Sequence, residues 1–298
     1  MNDVVILTST YNRANTLTKL YISLKSQNDN NFSWLIIDDG STDNTKELVE
    51  DMINENKIDI KYVYQENGGK ARALNKGFLQ SSNAMVYVVV DSDDYLLPGA
   101  VEIIKKYLKE YCANERIGAL FFHYNTPDGK VLKPKGELIK KDYIMSPYEY
   151  NRIFGKNDGC ICYLKRVIEK YKYPEFEGEK YVGPTVIQME MADEFKIVFS
   201  PKVIGVAEYQ KGGLTQSGRR LRLKNPMGMI YYAKLMMSSK SSVFTQFKYA
   251  ISIWPYAKIA KKSFIDVVRM VGRPILLLVT YIPGQILAIY WNGKTSGS

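Results

Sequence analysis

The stretch AMVYVVVDSDD, residues 84–94, joins an uncharged run to a cluster of three carboxylates. A strand with one wet face alternates apolar and polar residues. Ala84–Val90 does not alternate, and it reads as a strand buried on both faces. Strands of that kind lie in sheets covered by helices on both sides, where ligands bind beyond the carboxyl ends. Asp91, Ser92, Asp93 and Asp94 stand at such an end. Their three carboxylates repel one another unless a cation neutralises them. Oxygen donors without histidine suit Mg²⁺ or Mn²⁺, ions that also bridge phosphate oxygens. The chain holds one histidine, His123, which excludes a multi-histidine zinc site and any Ser-His-Asp triad built without it. The plain alternative for DSDD is a solvated acidic turn that caps a helix starting near Pro98.

Upstream of this strand the same alternation of elements repeats. VVILTST (4–10), WLII (34–37) and Ile58–Tyr64 read as strands. Between them, Ala14–Gln27 carries Leu17, Leu20, Tyr21 and Leu24 at helical spacing, Glu47–Asn54 forms a second helix, and GGKARALNKGFLQS (68–81) opens a third. The pattern is that of an α/β chain with a mostly parallel sheet and helices on both faces. Three polar clusters fall at the strand ends: Thr8–Arg13, Asp38–Asp43 and Asp91–Asp94. DDGSTD (38–43) alone is common turn chemistry, but beside DSDD on a neighbouring strand it gains weight. ENGGKARALN (66–75) sets two glycines, Lys70 and Arg72 at a helix start, which makes an anion site from backbone N–H groups, helix dipole and cations. It is not a P-loop, because Ala71 follows Lys70, and no GxGxxG occurs in the chain.

These residues in this order resemble the family 2 glycosyltransferases of the GT-A fold. The matching segments are TSTYNRANTL (8–17), WLIIDDGSTDNT (34–45), ENGGKARALNKG (66–77) and VVVDSDDYLLPGA (88–100). A softer likeness to the acceptor half of bacterial capsule and exopolysaccharide enzymes runs through NDGCICYLKRVIEKYKYPEFEGEKYV (157–182) and EYQKGGLT (208–215). The resemblance implies a Rossmann-like mixed sheet and transfer of a sugar from a nucleotide-sugar donor of the UDP class to a saccharide acceptor. It implies that Thr8, Tyr11 and Arg13 line a base and ribose pocket and that Asp38 or Asp39 contacts the base. Lys70 and Arg72 would face the nucleotide. Asp91, Ser92 and Asp93 would form the DxD motif, with Asp91 and Asp93 on Mn²⁺ or Mg²⁺ and Asp94 near the donor sugar.

Inverting members of the family need a carboxylate that takes the acceptor's proton. Related sequences often carry an acidic residue a few positions after GEK; here the stretch reads GEKYVGPTV, with Gly183, Pro184 and Thr185 in that place. The candidates for the base are Glu179, then Asp158, then Glu190. QSGRR (216–220) partly matches the QxxRW motif of processive synthases, with Arg220 where the tryptophan would stand. Arg219 and Arg220 are therefore candidates to close over the diphosphate. A basic loop facing lipid phosphates is the equal alternative.

The 298 residues divide by charge. Residues 201–298 hold 15 Lys and Arg against 2 Asp and Glu, whereas the chain as a whole carries a net charge of +10. A basic tail supplies all the net positive charge, which points to a polyanionic partner: an anionic membrane leaflet or nucleic acid. PILLLVTYIPGQILAIYW (274–291) is uncharged and near the lower length of a membrane span, yet Pro283-Gly284 falls in its middle. Basic and aromatic residues interleave upstream of it, so the tail reads as a membrane-surface element, with a homo-oligomer interface as the alternative. The division expected is 1–220 catalytic, with a nucleotide half (1–100) and an acceptor half (101–220), followed by a helical basic region over 221–298. Three cysteines give no disulfide framework and point to a reducing compartment; Asp3 and the early strand speak against a signal peptide. GKTSGS (293–298) reads as a loose tail. With a polyprenyl-linked acceptor, the place of action would be the cytoplasmic face of a bacterial membrane. Two other classes stand beside this reading. A sugar-phosphate nucleotidyltransferase would need a glycine-rich loop after the first strand, and TSTYNR (8–13) has none. A non-enzymic nucleic-acid-binding protein leaves DSDD unexplained, and nucleic acid is not the expected partner.

Overall fold

The computed structural model describes residues 3–80, 84–132, 138–155, 158–208 and 214–295. They form two compact units: residues 1–172 with 191–211, and residues 173–190 with 212–298.

The first unit is built on a nine-stranded sheet. Its strands are β1 (Val4–Thr10), β2 (Ser33–Asp38), β3 (Asp59–Tyr64), β4 (Val86–Val89), β5 (Asp94–Leu96), β6 (Ile117–Asn125), β7 (Tyr143–Met145), β8 (Gly159–Leu164) and β9 (Lys196–Ala207). The order is β3-β2-β1-β4-β8-β6-β9-β5, with β7 also on β9. The first four strands are parallel; the rest of the sheet is mixed, since β8 runs antiparallel to both β4 and β6. Register places Thr10 opposite Asp38 and Leu7 opposite Val89. The carboxyl ends of β1, β2 and β4 therefore lie side by side, as the strand pattern predicts.

Six helices belong to this unit: α1 (Ala14–Lys25), α2 (Thr45–Asn54), α3 (Lys70–Leu79), α4 (Ala100–Tyr111), α5 (Pro147–Phe154) and α6 (Lys165–Ile168). Alternation along β1 explains how both faces are covered. Ile6 joins Leu17, Leu20, Trp34 and Ile104 in one core, so α1 and α4 lie on that face. Leu7 points the other way, against α3. There Gly77 is needed for close approach, because a Cβ would stand 2.4 Å from Leu7 Cδ1. The short β5 is not legible in the sequence. It follows the acidic turn at once and pairs with β9, so that Asp94 sits opposite Ala207.

The second unit is helical: α7 (Val186–Glu190), α8 (Leu214–Leu223), α9 (Pro226–Met236), α10 (Val243–Ile259), α11 (Phe264–Val271), α12 (Pro274–Val279) and α13 (Tyr281–Thr295). Gly218 interrupts α8 with φ +46° and ψ −117°. Trp254 of α10 stacks on Phe264 and meets Tyr281 edge-on at 4.9 Å. The uncharged stretch 274–291 is broken at Thr280, three residues before the expected Pro283-Gly284. No helix among the described residues is long and apolar enough to cross a membrane. α13 runs into the GKTSGS stretch as far as Thr295; the last three residues, most of EYQKGGLT and the side chain of Gln216 lie outside the described residues.

Candidate active site

Three loops meet where β1, β2 and β3 end. Asn12 adopts φ +51°, a left-handed conformation that asparagine tolerates better than most residues. Its Oδ1 accepts from Thr42 N at 2.7 Å, and its own N–H donates to Ser41 Oγ at 2.9 Å. Asp43 in turn accepts from Ala14 N at 3.3 Å. These bonds fasten the loop after β1 to the loop after β2.

Asp39 fastens the third loop. Its Oδ1 accepts from Gln65 Nε2 (2.7 Å) and Gly68 N (2.8 Å), and its Oδ2 accepts from Gly69 N (2.8 Å) and Asn67 Nδ2 (3.3 Å). Asp38 is held in a similar way, accepting from Tyr62 Oη at 2.6 Å and Ser41 N at 2.8 Å. With 1% and 4% of their surfaces exposed, Asp38 and Asp39 are bound into the scaffold. Donors of the chain itself reach both oxygens of each, so the contact with a base expected of either would have to share these oxygens. Thr8 is likewise held within the scaffold. It is fully buried, and its hydroxyl accepts from Trp34 Nε1 at 3.1 Å in the core. Tyr11, by contrast, is 48% exposed at the strand end. Gln65, Asn67 and Tyr62 were missed from the sequence. Asn67 lies inside the ENGG motif, but nothing in the sequence says that its partner is Asp39.

The glycine-rich loop, so held, delivers the start of α3. Gly69 precedes the helix at φ +93°. Lys70 opens the helix, and its Nζ pairs with Asp91 Oδ1 at the end of β4. The stem of Arg72 lies over Gly68, where a Cβ would come within 2.8 Å of Arg72 Cδ. The acidic turn is compact: Asp94 N donates to Asp91 O at 3.1 Å. Ser92 is buried. Burial raises the Asp93 carboxyl above the ordinary range, Asp91 adds to this, and Arg13 and Lys70 oppose it. Asp94 is pushed up to about 9 by burial and by Asp91 and Asp93, with Asp158 adding to the same effect and Lys70 opposing it. Asp91 and Lys70 thus act on both Asp93 and Asp94, Arg13 acts on Asp93, and Asp158 acts on Asp94. Asp158 arrives there because it immediately precedes β8, the antiparallel neighbour of β4, in which Ile161 stands opposite Val89. Gly159, next to it, admits no side chain, since a Cβ would fall 2.2 Å from Phe122 O.

Against this geometry, the family model for glycosyl transferase family 2 matches residues 5–172. The chain belongs to that family. It is an enzyme, a glycosyltransferase, and the non-enzymic reading falls away. Over 168 residues the glycosyltransferase is 29% identical to a Campylobacter jejuni enzyme named GalNAc(5)-diNAcBac-PP-undecaprenol beta-1,3-glucosyltransferase, covering 53% of each chain. Its fold is that of S. aureus TarS 1–349 in complex with UDP-GlcNAc, at a TM-score of 0.64 and 17% identity over 94% of this chain and 79% of that one. It is also that of the Pyrobaculum calidifontis mannosyltransferase PcManGT in complex with GDP-Man and Mn²⁺, at a TM-score of 0.57 and 16% identity over 98% and 82%. Both are GT-A transferases, which establishes the GT-A architecture. The chain spans 18% to 53% of the length of the first curated relatives it matches.

The remaining candidates of the glycosyltransferase lie in the helical unit. Glu179 accepts from Met227 N at 2.7 Å and Gly228 N at 2.8 Å, capping the start of α9, where helix N–H groups lack partners. The same turn is tied back through Asn225 Oδ1, which accepts from Lys180 N and Tyr181 N. Glu190 accepts a hydrogen bond from Tyr231, and burial raises its carboxyl against the opposing effects of Tyr231 and Lys234. The Arg219 guanidinium lies 4.9 Å from the centre of the Trp291 ring, within cation–π range, and Arg220 is exposed.

Proposed function

We propose that this glycosyltransferase moves a sugar from a UDP-sugar donor, with inversion, onto a saccharide acceptor carried by a polyprenyl diphosphate in bacterial surface-polysaccharide synthesis. One observation carries the reading: cationic Arg13 and Lys70 and the carboxylates of Asp91, Asp93 and Asp94 converge at the carboxyl ends of β1 and β4. That is where an α/β sheet binds its ligand. The UDP-GlcNAc complex of TarS and the printed activity of the Campylobacter relative support the donor and the lipid-linked acceptor. Such an acceptor places the work at the cytoplasmic face of a membrane.

The donor set fits a divalent cation. Among the described residues no cluster of three or more His, Cys, Asp or Glu side chains forms a metal cage by itself. The carboxylates of Asp91 and Asp93 nonetheless offer hard oxygens of the kind such an ion prefers. Asp91 and Asp93 would hold Mn²⁺ or Mg²⁺, which when bound offsets the negative charge on the departing nucleoside diphosphate. The Mn²⁺ complex of PcManGT supports that assignment. Lys70, Arg72 and Arg13 would face the diphosphate. Tyr11 is the exposed group for the base, and Asp94 would receive the donor sugar. For the base that takes the acceptor's proton we favour Asp158. It shares the electrostatic surroundings of Asp94, while Glu179 and Glu190 have other partners in the helical unit.

The test is thermal stability with UDP and Mn²⁺. Ligand binding raises the melting temperature, and the expected rise disappears when EDTA is added. An equal rise with EDTA refutes the metal; no rise with any UDP-sugar refutes the site.

A further inference from the structure

The outward face of α12 and α13 has the wrong chemistry for water. Leu277, Thr280, Gly284 and Ala288 are buried, a stripe at helical spacing that runs across both helices. It lies against α10: Thr280 Oγ1 donates to Ala250 O at 3.1 Å, and a Cβ on Gly284 would meet Trp254 Cδ1 at 2.0 Å. The backbone ladder continues through the break, with Thr280 N donating to Leu276 O and Gly284 N to Thr280 O. The opposite stripe is Ile275, Leu278, Val279, Ile282, Ile286 and Ile289, all exposed, Ile275 by 79% and Ile282 by 71%. An ordinary surface helix turns charged side chains outward, and a helix apolar all round is covered by something. No residue from Pro274 to Trp291 carries a charge.

We propose that this face seats the glycosyltransferase on an anionic bilayer surface, lying in the interface. The surrounding charge selects the occupant. Lys258, Lys261, Lys262 and Arg269 are exposed on the preceding elements, and residues 201–298 hold 15 basic against 2 acidic side chains. A second copy seated here would bring two strongly basic regions together. Anionic headgroups complement them, while acyl chains take the isoleucines. The inference deepens the proposed function by naming the surface at which a lipid-linked acceptor is met, and rests on that reading for its use. Its test is independent, because binding is read without donor or acceptor.

The experiment is sedimentation of the 298-residue chain with vesicles of phosphatidylglycerol and phosphatidylcholine in equal parts. Strong binding is expected at low salt, weaker by roughly tenfold or more on phosphatidylcholine alone or at high salt. Ile282→Asn with Ile286→Asn should weaken it by about tenfold or more at an unchanged melting temperature. Should that pair fail to fold, Lys261→Glu with Lys262→Glu, both exposed, must weaken binding instead. Absence of binding at low salt, or binding indifferent to the substitutions, overturns the proposal. So does a dimer that the isoleucine substitutions dissociate, which would assign the face to a second copy. A chain that binds vesicles yet turns over no UDP-sugar keeps this inference and loses the proposed function.

Discussion

Asp39 and Asp94 are both acidic residues at strand ends, and their surroundings are opposites. Asp39 is ringed by donors: two side-chain amides and two backbone N–H groups converge on its oxygens. Asp94 lies among its own kind: burial does most to raise its proton affinity, Asp91, Asp93 and Asp158 add to it, and Lys70 opposes. A carboxylate whose bonds are all made within the chain builds the fold. A carboxyl buried among other carboxylates holds its proton more tightly, and its ionised form costs stability that a cation offsets. The difference separates scaffold from site where residue type alone does not.

Five substitutions test this contrast, beginning with the largest effect. Asp93→Ala should lower transfer by about a thousandfold or more, since ion and diphosphate both lose a partner, while the melting temperature holds or rises. Near-normal turnover would remove the acidic turn from the chemistry. Asp158→Asn should lower kcat by about 10²- to 10⁴-fold if it is the base. Glu179→Gln in the same assay should leave kcat nearly intact and show its effect as a lower melting temperature. The reverse result exchanges their roles. Asp39→Ala should destabilise the chain by about 2–4 kcal/mol, because buried donors lose a charged acceptor, and should weaken UDP binding as the loop carrying Lys70 loosens. Normal stability with lost binding would return Asp39 to direct contact with the nucleotide. The smallest effect is expected from Thr8→Val: about 1–3 kcal/mol of stability, through the buried Trp34 N–H left without an acceptor, at an unchanged KM for donor.

What the sequence reveals follows the same line. β1, β2 and β4 are legible because strands buried on both faces are largely apolar, a pattern that little else produces, whereas the edge strand β3 has only exposed and half-buried positions. The polar clusters are legible because strands of such a sheet deliver their ends to one rim. The uses of the acidic residues there are not legible, since Asp38, Asp39 and Asp91 differ only in which groups surround them. Nor is β5 legible: three residues, Asp94–Leu96, are too few to set up a period. The break in 274–291 is misplaced for a definable reason. Proline interrupts a helix only where its missing N–H was needed, and Pro283 falls in the first turn of α13, where it was not. The capping role of Glu179 joins residues 48 apart in sequence, a distance no local pattern reports.

The acidic turn is anchored twice, for β4 fixes one end of it against β1 and β8 while β5 fixes the other against β9. Its like charges therefore cannot drift apart to relieve their repulsion. The chain gathers them once, as it folds, so the shape of the acidic turn is set by the sheet itself.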